Sequence, residues 1–116
     1  MKDPNRFLPL SQSVFRILLA LGEDELHGYA VMQAIADKSG GRERLLPGTL
    51  YASVAKMVDG GLIEELEAPD GDTSGGPRRR YYKRTPLGRA VAQAESERMR
   101  ALLDIARSEK LITDPV

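Results

Sequence analysis

Apolar residues recur at helical spacing from Leu10 onward: Leu10, Val14, Ile17, Leu18 and Leu21 fall at i, i+4, i+7, i+8 and i+11, and Gly22 stands where such a helix ends. Phe15 and Leu19 lie off that stripe, so this first helix carries a second apolar face that needs a second partner. The acidic run Glu23-Asp24-Glu25 reads as a loop. Leu26-His27-Gly28-Tyr29 then opens a second helix to about Lys38, with Tyr29, Met32, Ile35 and Ala36 on its packed side and Ser39-Gly40-Gly41 ending it. Across the charged connection Arg42-Glu43-Arg44 comes a third helix within Leu46 to Ile63. Either Pro47 pre-sets its first φ or Thr49 caps it, and Gly60-Gly61 stops it. Leu50, Val54, Met57 and Val58 commit one face to a core, while Thr49, Ala52, Ser53 and Lys56 form an outer face that is small, polar and cationic.

The period then changes. Glu64 to Glu67 reads as a short half-buried strand, residues 68 to 77 are almost all turn formers and read as a mobile loop, and Arg78 to Arg84 returns as a second strand with Tyr81 and Tyr82 on opposite faces. Together these form a hairpin with a long polar tip and a basic return strand, the shape of a wing. Thr85-Pro86 starts a final helix running to about Lys110. Leu87, Val91, Ala94, Leu102 and Ile105 lie near one side of it, and Glu95, Met99, Leu102 and Ala106 trace an adjoining side. Some 25 residues at 1.5 Å each span roughly 37 Å, too long to be covered by three short helices. Part of this helix is therefore expected to pack on another subunit.

The length of 116 residues suits one domain with a modest core, for which a shared dimer face is an advantage. No cysteine is present, which removes disulfides and thiolate metal sites. His27 is the only histidine, so a metal centre is not expected, and His27 itself reads as a helix-start residue. No cofactor is called for. The first 21 residues lack a signal-peptide cleavage site and a membrane-spanning length, which makes a cytoplasmic location the default expectation. Net charge is zero, with 17 basic and 17 acidic side chains, but the signs are segregated. Residues 64 to 72 carry only acids, and residues 78 to 84 only bases, so a local positive field is available despite the balanced total. No paired nucleophile and base, metal cluster or phosphate loop stands out, and an enzyme is not expected.

The expected fold is mainly α with a small two-stranded hairpin: a winged helix-turn-helix followed by one long C-terminal dimerisation helix. Residues 1–9 form an N-terminal arm, 10–84 the winged domain, and 85–116 the last helix and tail. The alternative is a plain three-helix domain with a disordered hairpin.

Three motifs carry a resemblance: Gly48-Thr49-Leu50-Tyr51 opening the third helix, Gly61-Leu62-Ile63 closing it, and Tyr81-Tyr82 followed by Thr85 and Gly88 at the junction into the last helix. With His27-Gly28-Tyr29 at the second helix, their order and spacing resemble the PadR family of transcriptional regulators, over roughly residues 10 to 106. A single helix after the wing is similar to the short subgroup of that family. The resemblance implies a homodimeric repressor, often relieved in the family by a small aromatic or other apolar compound. It places the dimer contact on the last helix, with helix one as a further candidate element; on the last helix Leu87, Val91, Met99, Leu102, Leu103 and Ala106 are the candidates. The resemblance, together with the spare apolar faces, implies an effector site between helix one and the last helix near Phe15, Met99 and Leu103. Arg84 departs from the pattern, since an apolar residue is usual before the threonine, and the packing of that strand end is left open.

The expected mechanism places the two central helices of a dimer in successive major grooves of a pseudo-palindromic double-stranded DNA site. Thr49, Ala52 and Ser53 are the candidates for base edges, and Lys56, Arg78, Arg79, Arg80 and Lys83 for phosphates. Tyr51 either bonds a phosphate or is buried, and spacing alone does not choose. Opposite charges on facing strands, Glu64, Glu65 and Glu67 against the basic strand, compete with the DNA role. A winged-helix protein-interaction module without DNA binding is the alternative function.

Overall fold

The computed structural model describes residues 1–68 and 80–113. Helix α1 spans Gln12–Leu21, and Ser11 caps it by accepting from the Val14 N–H at 3.3 Å. It starts two residues later than the apolar stripe suggests, because the backbone at Ser11 is extended, with ψ 154°, and the N–H of Leu10 goes to Glu95. Ile17, Leu18 and Leu21 are fully buried, each contributing about 2 kcal/mol by leaving water. Phe15 packs against the same core, whereas Leu19 stays 46% exposed.

Leu26-His27 is not helical. It forms a two-residue strand, β1, and His27 then caps helix α2, Gly28–Lys38, through Nδ1, which accepts from the Ala30 N–H at 3.2 Å. The buried side of α2 is Gly28, Val31 and Ile35. Tyr29 is 65% exposed, contrary to the expected packed side, since it sits about 100° around the helix from Gly28. Helix α3, Pro47–Asp59, has Pro47 in its first turn and no side-chain cap, so the proline and not Thr49 marks its start. At its end Gly61 takes φ +79°, which lets its N–H reach Val58 O at 3.1 Å and the Leu62 N–H reach Met57 O at 2.9 Å.

Strands β2, Ile63–Glu67, and β3, Arg80–Arg84, pair antiparallel, and β1 adds to the other edge of β3, giving the order β1-β3-β2. The sheet therefore has three strands where two were expected. A two-residue strand has no periodicity to be read; Leu26 and His27 are extended because they pair with Tyr82 and Tyr81. The expected loop beyond Ala68 lies outside the described residues. Helix α4 spans Pro86–Ser108, capped by Thr85, whose Oγ1 accepts from the Gly88 N–H at 3.0 Å and donates to Gly61 O at 2.6 Å. A Cβ on Gly88 would collide with the Leu62 carbonyl. Glycine alone permits this approach of α4 to the end of α3.

Leu87 and Val91 lie in the protomer's own core, which corrects their expected place at a dimer contact: the first turns of α4 are covered by the chain's own helices. Glu95 is fully buried as well. Its carboxylate accepts from the Leu10 N–H at 2.6 Å and from Arg98 Nε, so it fastens the N-terminal arm and the start of α1 to α4. The Arg98 hydrogen bond holds the carboxyl below the usual carboxylate range, overriding the upward push of burial, and the Leu10 N–H adds to the effect. Its folded pKa being depressed, the group contributes stability above the unfolded value of about 4.3, lost as pH falls through the folded pKa.

Glu95→Ala is expected to lower stability near neutral pH by about 1.5 to 3 kcal/mol in urea denaturation. The gap between the wild type and Glu95→Gln should narrow as pH falls below about 4; a gap that stays constant would contradict the ionised carboxylate. For the α2 cap, His27→Ala is expected to cost about 1 kcal/mol and His27→Asn to restore most of it in the same assay.

Candidate nucleic-acid interface

Helix α3 buries Leu50, Ser53, Val54 and Met57 and exposes Thr49, Ala52 and Lys56. Three of the four side chains expected on the outer face are there. Ser53 is the exception: only 8% exposed, it donates its hydroxyl to Ser13 Oγ of α1 at 3.1 Å. Positions 50, 53 and 57 are one helical stripe, and a small polar side chain at 53 lets α1 approach without a large void. Its hydroxyl is thereby withdrawn from base reading. Exposed Asp59 lies about a turn beyond Lys56, so the positive charge of this face is concentrated in its first three turns.

Tyr51 is resolved in favour of the surface. It is 51% exposed and lies over the start of α2, where its hydroxyl takes the space that a Cβ on Gly28 would fill. The start of α2 and the exposed face of α3 are thus joined through one aromatic ring. On the sheet, cross-strand partners share a face. Ile63, Tyr82 and Arg84 turn inward, while Leu66, Tyr81, Lys83, Glu64 and His27 share the outer face. The His27 ring meets Tyr81 edge-on at 5.4 Å and stacks with Tyr29 at 6.5 Å. Burial raises the Tyr82 phenol, with a smaller push from Glu65, so this hydroxyl stays neutral.

Among the wing cations, Arg80 pairs with Glu65 across the strands, Nε to Oε1 at 3.3 Å. The competing cross-strand pairing is therefore present at the end of the strands nearest the connecting loop. Lys83 is exposed opposite Glu64. Arg78 and Arg79 lie outside the described residues. Arg84 packs tightly: with its side chain 13% exposed, it donates to Leu18 O at 3.2 Å and pairs with Glu23 at 3.0 Å. A buried arginine thus does the joining work of an apolar residue, linking the end of α1 to the start of α4.

At the far end of α4, Leu102, Leu103 and Ile105 are 54, 50 and 60% exposed, and Met99 and Ala106 are half-buried. Phe15 packs against the core. An apolar pocket of about 200 Å³ lies between α1 and α2, lined by Leu19, Ala20 and Ile35 together with the Arg16–Glu43 ion pair and Lys38. Among the described residues no group of histidine, aspartate and glutamate side chains is placed to hold a metal ion, and no helix is long and apolar enough to cross a membrane.

Comparison with known proteins agrees with this architecture. A transcriptional regulator of Mycobacterium tuberculosis is 36% identical over 92 residues, covering 78% of this chain and 76% of that protein. A 37.1 kDa protein in transposon TN4556 of Streptomyces fradiae is 36% identical over 86 residues, 74% of this chain, so the match spans 22% of that longer relative. Among solved structures, Bacillus subtilis PadR in complex with operator DNA superposes with a TM-score of 0.61 at 18% identity, covering 93% of this chain and 51% of that one. That likeness is one of fold. The model of the transcriptional regulator PadR-like family matches residues 17–94, from the buried turn of α1 through the wing into α4, and the chain belongs to that family.

Proposed function

We propose that this chain is a sequence-specific DNA-binding transcriptional repressor that acts as a homodimer on a pseudo-palindromic operator in the cytoplasm. The observation that carries the reading is the exposed face of α3. Thr49, Ala52 and Lys56 form a narrow face with no large apolar side chain, next to the base of a two-stranded hairpin, as a helix entering a major groove requires. Family membership supports it, as does the shared fold of a PadR solved on operator DNA. Thr49 and Ala52 take base edges, by hydrogen bond and by methyl contact; Lys56, Tyr51 and Lys83 take phosphates.

The dimer reading is supported by the division of α4. Its apolar stripe is covered by the protomer through Val91 and Ala92, and the same side of the helix continues into half-buried Met99 and Ala106 and exposed Leu102 and Ile105. A second copy of the chain covers that half. The dimer spaces the two α3 helices, and an apolar effector seated beside Met99 and Leu103 would change that spacing and release the operator.

Affinity for the DNA upstream of its own gene should fall steeply as salt rises. Lys56→Ala should weaken binding to all sequences alike and reduce the slope of log affinity against log salt by about 1. Binding that is absent at low salt, or indifferent to it, would favour the protein-interaction alternative. Leu102→Asp with Ile105→Asp should leave a folded monomer in analytical ultracentrifugation, since both side chains are exposed, and weaken operator binding by about 100-fold. A dimer that survives this pair places the contact elsewhere.

A further inference from the structure

Resting on that reading, we infer that the interface extends beyond α3 and the wing to the beginning of α1, where Ser11 and Ser13 seat a phosphate of the DNA backbone together with Lys56. The two helices enclose a groove of about 400 Å³ whose walls include Ser11 and Ser13 on one side and Gly48, Thr49, Ala52 and Lys56 on the other. The groove is therefore continuous with the exposed face of α3.

Its hydrogen-bonding character follows from a proton count. Ser53 Oγ donates to Ser13 Oγ at 3.1 Å, and Ser13 and Ser11 share a hydrogen bond at 3.3 Å. Three hydroxyls bring three protons, and the two links use two of them. Whichever way the second link runs, one proton, on Ser11 or Ser13, is left to point out of the chain. The Val14 N–H already occupies a lone pair of Ser11. The groove thus offers a hydroxyl donor on one wall and the Lys56 ammonium on the other, and the backbone dipole of α1 adds the same sign at its first turn. It suits an oxygen anion. A duplex lying along α3 presents phosphates at this edge, and contacts of this kind set register without reading sequence.

Glu95 keeps the seat in place. By holding the Leu10 N–H it fixes the residue immediately before Ser11, so that the hydroxyls meet α3 rather than moving with the arm.

The test keeps the α1 cap while changing what Ser11 presents. Asp and Asn cap helices as well as Ser does. The full-length dimer carrying Ser11→Asp, Ser11→Asn or Ser11→Ala is titrated with a labelled duplex from its own upstream region and with a scrambled duplex of equal length. Thermal melts confirm that Ser11→Asp remains as stable as the wild type. Ser11→Asp is expected to weaken both duplexes by about 100-fold, since it sets a carboxylate against a phosphate. Ser11→Ala should weaken both by about tenfold with an unchanged salt slope, because a neutral donor is lost, and Ser11→Asn should restore most of the affinity. A melting wild-type-like Ser11→Asp that binds both duplexes like the wild type overturns the phosphate seat, and so does a loss confined to one base pair. A wild type that binds neither duplex at low salt overturns the DNA-binding reading itself.

Discussion

The Thr85 hydroxyl joins the parts of this molecule that have to hold a fixed relation. In one residue it caps α4, through the Gly88 N–H, and grips Gly61 O at the end of α3, while the Thr85 N–H donates to Leu62 O at 3.1 Å. Gly88 is required because Leu62 comes so close that no side chain fits, and Gly61 because its φ is positive. The exposed helix, the wing and the long helix are therefore set at one junction. The start of α4 is tied to the end of α3 by the two hydrogen bonds from Thr85 to Gly61 and Leu62.

Around that junction the core is shared economically. α1 runs through its centre, touching α2, α3, α4 and β3. Polar side chains finish what the apolar ones begin. Arg84 ties the last turn of α1 to Glu23, Lys38 Nζ donates to Leu19 O at 2.8 Å, and Glu95 fastens the arm. Among the described buried side-chain polar atoms none lacks a partner. In a domain this small such ties make the difference between helices that merely collapse and helices held in one arrangement.

Much of the fold was legible in the sequence because its signals are local. The stripe Ile17, Leu18, Leu21, the Gly61 stop and the Thr85 cap each depend on a few neighbouring residues and appear where the pattern placed them, whereas the structure chose Pro47 over Thr49 at the start of α3. β1 was not legible: two residues carry no period, and only pairing with β3 makes them a strand. Tyr29 and Tyr51 illustrate the same limit for aromatic side chains, whose amphipathic rings suit either side of a helix. Ser53 was misplaced because a polar side chain on a buried stripe looks like part of the outer face, when its hydroxyl is satisfied by Ser13 from 40 residues away.

The sequence by itself determined the order of the four helices and the two longer strands, most of the helix ends, and the small cationic side of α3, because backbone propensity and amphipathic spacing act within a few residues. Tertiary structure alone decided how each amphipathic face is used. It took Leu87 and Val91 into the protomer and left Leu102 and Ile105 outside, although all four belong to one helix and similar chemistry. It paired Arg80 with Glu65, tucked Arg84 inward, and set the first turn of α1 against α3 to form the groove. Burial and charge pairing depend on which distant residues arrive, and spacing along one segment carries no information about them.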